Sequence, residues 1–409
     1  MQQNLFRFTG YGAAILLPLA LVWLSPIYGL IAWALAIGVY GRWQPKVVPA
    51  LLFAAFVDWE IISVFWSGDQ SAGWADVLMV LPFGLMGVLI HLLEVPDGQR
   101  QGRNIARVFA WATAGAWTLT FLYSIATLGW VNYNDFALGE RLGIHFQSLY
   151  LVAAALILER RIWTSSKAMA WLTGGTVLWL LLGIVFLSAR IHLITVPLLL
   201  MVRLLEHYRR NPASRRKLVL YGGSALLVLG SLVVLLPGPS RRLSDLKNEL
   251  RSVGEVVDGK QTNHRVFLWK YGREIITEHP WMGTGNGYGE EALHQKLLSC
   301  EATFYNKKTP YYLHEFRYDF HNIWIQSWAE GGIVALFLLL GIFLWGIIKS
   351  RGSMKYVWVA LLVSGMTESL FEKQAGIFFL AFVVALTALS TQTGANPSGK
   401  NEAPANPRQ

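Results

Sequence analysis

Twelve apolar segments constrain the fold of this 409-residue chain more than any other feature of its sequence. They cover approximately residues 10–25, 27–40, 47–66, 73–93, 105–128, 144–158, 169–188, 191–206, 218–237, 322–348, 355–371 and 375–391. A helix needs about 20 residues to cross the hydrocarbon core of a bilayer. Only 15% of the residues are charged, whereas a soluble domain usually holds about 25%. The pattern predicts an all-α polytopic membrane protein with about twelve transmembrane helices.

The apolar segments divide the chain into four predicted parts. Residues 1–237 hold nine transmembrane helices, 238–320 form a long polar loop, 321–391 hold three further helices and 392–409 form a tail. The tail is rich in Asn, Pro, Gly and Ser, which is typical of disorder. The first two segments are short, and the turn between them at Pro26 indicates either a tight hairpin or a re-entrant pair.

The long loop has predicted structure of its own. A helix is expected from about Asn263 to Glu278, and Pro280 ends it because the residue before a proline disfavours helical geometry. A second helix is expected over residues 290–300. The aromatic stretch 301–320 is predicted to be a loop near the membrane interface.

The basic residues are distributed unevenly across the predicted membrane. Twenty of the 35 Lys and Arg residues lie on the side of the N-terminus, twelve lie in the long loop, and three lie in short outer connections. The positive-inside rule counts short connections and not long loops. The distribution therefore predicts cytoplasmic termini and an outer long loop. It also accounts for the net charge of +10 without nucleic-acid binding.

Three arginines lie at the predicted outer surface. Arg190 sits in a three-residue connection between two apolar helices, Arg265 starts the loop helix, and Arg141 lies in a short outer connection. A guanidinium at the membrane boundary is costly unless it is paired or hydrated, and its planar fork suits a phosphate or diphosphate. Snorkelling to headgroups, or pairing with a nearby carboxylate, is the alternative for each of them.

The start of the next apolar segment carries His321 beside Asn322. An imidazole can take a proton from a sugar hydroxyl near neutral pH, although an ordinary interfacial histidine fits this position equally well. The preceding run contains Gly283, Gly285 and Gly287, which allow tight turns and a close backbone approach to a ligand. A flexible turn between two helices is the alternative explanation for these glycines.

Several other kinds of site are not expected. The spacing of His, Asp and Glu shows no metal-ligand cluster, and the single Cys300 excludes an intramolecular disulfide. Asp58 and Glu60 lie within one predicted span, where acids are functional by default, but they point roughly 200° apart on a helix. Glu368 and Glu372 are expected near the outer surface, where they would balance the arginines.

Three successive stretches of the chain resemble the signature region of the O-antigen ligase/polymerase membrane family. They are Arg265-x-x-x-Trp269, His279-Pro280-Trp281-Met282-Gly283-x-Gly285-x-Gly287 and His321-Asn322-x-x-x-Gln326-x-x-x-Glu330-x-Gly332. The stretch from Gly139 to Gly143 looks like a weaker upstream motif of that family. The motif resemblance covers about 70 residues, from Arg265 to Gly332, while the helical topology is similar over most of the chain.

The resemblance implies a GT-C-like glycosyltransferase of the bacterial inner membrane with a periplasmic active site. Family members transfer a glycan from undecaprenyl diphosphate, and the ligase branch uses lipid A-core as the acceptor. The expected catalytic residues are His321, Arg265 and Arg190. The expected substrate-binding residues are Arg141, Asn322, Gly283, Gly285 and Gly287. The resemblance implies inverting transfer without a cofactor or metal, and membrane lipids as the other partners.

Two alternatives remain open at this point. An O-antigen polymerase or a protein O-oligosaccharyltransferase of the same family would share the donor and use another acceptor. A lipid-linked glycan transporter or flippase would make no bond, and its coupling residues would be Asp58 and Glu60. A transporter is expected to tolerate the loss of His321 better than the loss of Asp58, and an enzyme is expected to show the reverse.

Overall fold

The structure of this protein is a computed structural model. It describes residues 2–19, 26–128, 139–210, 264–299, 303–306, 309–312 and 315–392, with a few isolated positions between 211 and 263.

The described part of the chain is predominantly helical. Its α-helices are α1 Gln2–Leu19, α2 Pro26–Tyr40, α3 Val47–Ser63, α4 Gln70–Leu92, α5 Gly98–Leu128, α6 Gly139–Thr164, α7 Lys167–Leu187, α8 Arg190–Arg210, α9 His264–Glu278, α10 Gly289–Ser299, α11 Ile323–Lys349, α12 Ser353–Ser364 and α13 Gln374–Thr391. Among the described residues, seven helices are long and apolar enough to cross a membrane, namely α3 with its 3-10 extension Val64–Trp66, α4, α5, α7, α8, α11 and α13. These spans confirm a helical polytopic membrane protein.

Eleven of the twelve predicted segments fall on described helices, with some shifts of their ends. The remaining one, 218–237, lies almost entirely outside the described residues. The prediction of helix up to residue 371 is wrong over 365–371, because α12 ends at Ser364. The carbonyl of Gly365 instead accepts a hydrogen bond of 2.9 Å from the N–H of Ile323, at the start of α11.

Both helices predicted within the long loop are confirmed as α9 and α10. The prediction that 301–320 is entirely loop is wrong, because β1 (Thr303–Asn306) pairs with β2 (Thr309–Tyr312) in an antiparallel hairpin. Thr, Phe and Tyr favour strands. A further two-residue pairing, Arg42–Trp43 with Leu93–Glu94, ties the end of α2 to the end of α4.

Helix α13 lies in the interior of the bundle, and its residues are buried without a break from Gly376 to Leu389. A helix that is apolar on all sides is stable when other helices surround it. The ring of Phe382 packs 5.7 Å from Trp33 of α2 and 5.2 Å from Phe109 of α5, measured between centroids. The segment just before α13 is therefore anchored to the centre of the molecule.

The two loop helices form a second, smaller core against the first half of α11. Its buried members are Phe267, Leu268, Tyr271, Ile275, Ile276, Leu293, Leu297, Phe320 and Ala329. Trp269 adds a hydrogen bond of 3.1 Å from its Nε1 to the carbonyl of Phe320. This packing fixes α9 beside the start of α11 and so brings Arg265 and His321 to one end of the bundle.

Candidate functional site

Glu368 joins one arginine and two histidines at the end of the bundle where α6 and α11 begin. Its Oε1 lies 2.8 Å from Nη2 of Arg265 and 3.1 Å from Nε2 of His145, and its Oε2 lies 3.7 Å from Nδ1 of His321. The carboxylate is buried, with 7% of its surface exposed. Arg265 and His321, both predicted to be catalytic, thus meet through an acid that follows α12.

The charge of Glu368 is set by competing effects. Burial is the largest influence and by itself would raise its pKa. The interaction with His145, a hydrogen bond from His321 and the charge of Arg265 act in the other direction. Together they lower the pKa of the Glu368 carboxyl to about 2, so it is ionised at neutral pH. A fixed anion therefore orients the cationic and donor groups around it.

His321 has an uncommon backbone conformation, with a φ of +46°. Such a conformation costs on the order of 1–3 kcal/mol outside glycine and is found at functional sites. Oδ1 of Asp319 accepts a hydrogen bond of 2.6 Å from the backbone N–H of His321 and lies 3.0 Å from Nδ1 of its ring. Asp319 thus supports both the backbone and the imidazole.

The side chain of Asn322 caps α11. Its Oδ1 accepts hydrogen bonds from the N–H groups of Trp324 and Ile325, at 3.0 and 3.1 Å, and its Nδ2 donates to the carbonyl of Met366. A side-chain cap of this kind stabilises a helix by about 1 kcal/mol. These contacts give Asn322 a structural role, and its predicted part in binding substrate stays a prediction.

Arg190 is the first residue of α8, and its side chain is half-buried. Two residues later, Nε2 of His192 lies 2.8 Å from Oγ of Ser364 at the end of α12. This contact holds the start of α8 close to the segment that carries Glu368. Arg190 therefore lies at the same end of the bundle as Arg265 and His321.

Arg141 belongs to the first turn of α6, but its side chain lies outside the described residues. The helix is interrupted at Gly143, whose φ is +66°. His145 follows this break and contacts Glu368. The backbone of the upstream motif therefore leads directly to the site, while the role of Arg141 stays a prediction.

The glycine run packs against protein backbone. Gly283, Gly285 and Gly287 have φ values of +66°, +91° and +82°. A Cβ on Gly285 would lie 2.3 Å from the Cα of Ser67, and one on Gly287 would lie 2.1 Å from the N of Gly73. Gly285 and Gly287 allow the loop to pack on the connection between α3 and α4 and on the first turn of α4. Their predicted contact with substrate stays a prediction.

A second set of contacts joins the glycine run to α11, close to the point where Gly332 interrupts the helical geometry. The N–H of Thr284 donates to the carbonyl of Ala329, and that of Gly285 donates to the carbonyl of Glu330, at 2.8 and 2.9 Å. Gly332, with a φ of +68°, allows Trp281 to approach, because a Cβ there would lie 2.1 Å from its carbonyl oxygen. Two parts of the signature region thus interlock.

Acids line a small cavity of about 20 Å³ beside this locked region. Its acidic lining residues are Glu60, Asp76, Glu330 and Glu372. Asp58 is exposed on the outside of α3. It therefore does not form a pair with Glu60, and the helical spacing of the two acids predicts this separation. The sequence analysis did not single out Asp76 or Glu330 as members of this group.

Glu290 of α10 and Glu372 are joined by a side-chain hydrogen bond. Burial, followed by the charge of Asp319, raises the pKa of Glu290. Burial, followed by the charges of Glu290 and Asp76, raises the pKa of Glu372 well above its ordinary value. Both raised pKa values favour a proton held between the two carboxyls.

Sequence reasoning missed Glu368, Asp319 and His145 as members of the site. Glu368 was placed within a helix as a counter-charge, and Asp319 in an irregular loop. Within the part of the chain that the structure describes, no three His, Cys, Asp or Glu side chains are grouped so that they could hold a metal ion.

Comparison with known proteins adds one finding. Residues 175–340 match the family model Wzy_C, described as O-antigen ligase. The matched range runs from α7 into α11 and includes Arg190, Arg265 and His321, whereas His145 and Glu368 lie outside it. No curated protein matches the chain. The match, which covers the signature region and the elements that carry it, supports the assignment of this membrane protein to the O-antigen ligase family.

Proposed function

We propose that the protein is an O-antigen ligase. It would transfer O-antigen glycan from undecaprenyl diphosphate to lipid A-core on the periplasmic side of the bacterial inner membrane. The convergence of Arg265 and His321 on Glu368, at the end of the bundle where Arg190 begins α8, is the observation that carries this proposal. In the proposed reaction, the arginines would stabilise an anionic leaving group, and His321 would act beside them as the base for an acceptor hydroxyl.

The donor requires positive charge where its diphosphate departs. Arg265 and Arg190 supply guanidinium groups at one end of the bundle, and Arg141 is expected to help position the donor. Glu368 holds Arg265 through Nη2, so the cation is oriented before the donor arrives. Preorganised charges of this kind stabilise the developing negative charge in the transition state.

The acceptor requires a base, and His321 is the proposed one. In this mechanism the hydroxyl oxygen attacks the anomeric carbon from the face opposite the diphosphate, and its proton passes to the imidazole of His321. The bond from the anomeric carbon to the diphosphate oxygen breaks, and its electron pair leaves with the diphosphate. Asp319, 3.0 Å from Nδ1, would stabilise the imidazolium that forms. The configuration at the anomeric carbon is inverted, and the proposed transfer is metal-independent.

The proposed orientation rests on the distribution of Lys and Arg in the sequence. Twenty of them lie on the side of the N-terminus and three in short connections on the other side. Both termini are therefore proposed to be cytoplasmic, with α9 and α10 in the periplasm. A GT-C-like architecture, in which a helical bundle presents its site to a lipid-linked donor, is proposed from the family resemblance.

Purified protein with lipid-linked O-antigen and rough lipopolysaccharide tests this proposal, in the presence of a chelator and without ATP. We expect wild-type protein to produce a ladder of glycosylated lipopolysaccharide. Arg190→Ala, Arg265→Ala and His321→Ala are each expected to lower the rate by about 100-fold or more, because each removes transition-state stabilisation. Arg273→Ala is the matched control, since Arg273 is exposed on the same helix as Arg265, and it should keep the wild-type rate.

Other products would indicate a different function for the protein. Longer glycan chains on the carrier, without lipopolysaccharide products, would establish a polymerase, and glycosylated protein would establish an O-oligosaccharyltransferase. The cavity lined by Glu60, Asp76 and Glu330 is the observation that favours a transporter or flippase, in which these acids would couple movement to an ion. No product under conditions that support a known ligase, together with flipping lost in Glu60→Gln, would favour that alternative.

A further inference from the structure

Four arginines gather at the end of the bundle away from the candidate site. Arg103 and Arg107 are four residues apart on α5, so they share one face of the helix. Arg160 and Arg161 lie near the end of α6. The positive charges of Arg161, Arg103 and Arg160 all act on Arg107. Three of the four, Arg103, Arg107 and Arg160, are exposed.

The ends of two helices place this cluster opposite the candidate site. Helix α6 runs from His145, which contacts Glu368, to Arg161, a rise of about 24 Å at 1.5 Å per residue. Helix α12 ends at Ser364 beside the site and begins after Gly352, and a Cβ on Gly352 would lie 3.5 Å from Nη1 of Arg160. Each helix thus has one end at the site and the other at the arginines.

The two nearby acids, Glu159 and Glu206, form ion pairs with Arg203. Glu159 accepts hydrogen bonds from Nη2 of Arg203, at 2.6 Å, and from Nε1 of Trp163, at 3.0 Å. Glu206 lies 3.5 Å from Nη1 of Arg203 and accepts a hydrogen bond from the hydroxyl of Tyr356. These acids therefore leave the positive charge of the four-arginine cluster uncompensated.

Among the residues that the structure describes, no ion pair joins the four arginines to an acid. The polar partner of Arg107 is Oδ1 of Asn104, 3.3 Å from Nη1, which brings no charge. Like charges held together in this way repel one another unless an anion lies between them. The cluster therefore offers positive charge that an anionic ligand could neutralise.

We propose that this arginine cluster binds the phosphate headgroup of an anionic membrane lipid, in the leaflet opposite the candidate site. Guanidinium groups bind phosphate oxygens through paired hydrogen bonds, and basic pockets between helix ends are typical of such sites. Trp171, at the start of α7 and 70% exposed, marks the headgroup level on this face, where tryptophan is enriched. The proposal does not depend on the proposed ligase activity.

Binding of defined lipids to the full-length, delipidated protein in detergent tests this inference. Native mass spectrometry would compare phosphatidylglycerol with phosphatidylcholine, which carries no net charge, and would include inorganic phosphate as a competitor. We expect preferential binding of phosphatidylglycerol that millimolar phosphate does not displace. The double variant Arg103→Gln/Arg160→Gln should weaken the binding of phosphatidylglycerol by more than about tenfold.

The matched control removes two positive charges elsewhere. Arg42→Gln/Arg209→Gln changes exposed arginines of other elements and should leave the affinity within about twofold of wild type. Arg103→Lys/Arg160→Lys keeps the charge and should retain most of the binding, which guards against a folding defect. Equal losses in the Gln variant and its control, no preference for phosphatidylglycerol, or full displacement by phosphate would each overturn the proposal.

Discussion

Glu368 connects groups that come from three distant parts of the sequence. It lies 2.8 Å from Arg265 of α9 and 3.1 Å from His145 of α6, and it faces His321 before α11. A carboxylate that orients both a guanidinium and an imidazole acts on the donor side and the acceptor side of the proposed reaction. Its removal should therefore affect activity more than stability.

Glu368→Gln keeps the shape of the side chain and removes the charge. We expect the ligation rate to fall by about 100-fold, because small displacements of reacting groups have effects of that size. The rate and the melting temperature would be measured on the same preparations. Glu278→Gln, which changes an exposed acid on α9, is the control and should retain activity. Wild-type activity in Glu368→Gln would contradict a positioning role for this acid.

The Glu290–Glu372 pair predicts a pH dependence of stability. Burial and neighbouring charges raise the pKa of both carboxyls from an ordinary value of 4.5. In the range above 4.5 the folded protein binds more protons than the unfolded chain, so stability falls as pH rises. Their contribution is complete below 4.5 and is lost as pH passes the raised values.

Measurement of the melting temperature from pH 5 to pH 9 checks this prediction. Wild-type protein should lose stability towards pH 9, and Glu372→Gln should flatten that slope because its amide keeps a donor without titrating. Glu274→Gln, on α9, is the control and should keep the wild-type slope. A slope of the opposite sign in wild-type protein would contradict the shared proton.

At the scale of elements, the glycine run and α11 show how the outer loop is held. Gly285 has a φ of +91°, and a Cβ there would lie 2.3 Å from the Cα of Ser67. Gly285→Ala should therefore lower the free energy of unfolding by about 2 kcal/mol or more, through both strain and overpacking. Gly175→Ala, on α7 with open space around it, should be neutral or slightly stabilising.

The same pair of variants separates packing from substrate binding. Thermal unfolding gives the stability change, and the ligation rate per folded molecule gives the functional one. Packing alone predicts that Gly285→Ala keeps its rate once the folded fraction is corrected. A rate that falls while the melting temperature holds would instead assign this glycine to substrate binding.

The sequence predicted most helices because a run of apolar residues of bilayer length has few other stable states in a membrane. The sequence did not predict that α12 ends at Ser364. Residues 365–371 include Met366, Leu370 and Phe371 and read as apolar, and the helix stops because Gly365 accepts a hydrogen bond from Ile323. That contact depends on the tertiary arrangement. The hairpin formed by β1 and β2 was missed because its aromatic residues were interpreted as an interfacial loop.

The candidate site could be anticipated in part. Arg265 and His321 carry a sequence signal through the motif and its spacing, and Arg190 carries one through its place in a three-residue connection between apolar helices. Glu368 and Asp319 do not, because an acid near the membrane surface has many possible partners. The packing of α9 and α11 determines that Glu368 pairs with Arg265. These two residues are separated by more than 100 positions in the chain.

At the scale of the whole molecule, the two ends of the bundle carry different polar groups. One end holds the Glu368 cluster, and the other holds the four arginines of α5 and α6. The family match spans residues 175–340, so it covers most of the candidate site and none of the arginine cluster. The central helix α13 runs through the bundle and is buried from Gly376 to Leu389.

The position of Glu368 in the chain has a consequence for biosynthesis. The ribosome makes His145, Arg265 and His321 first, and the acid that holds them comes out only after α12. Helix α13, which anchors that acid, follows it and must pack into the centre of a bundle whose other helices already exist. The site is therefore complete only once α13 has packed against the helices made before it, and a chain that lacks α13 is expected to be inactive in the proposed transfer.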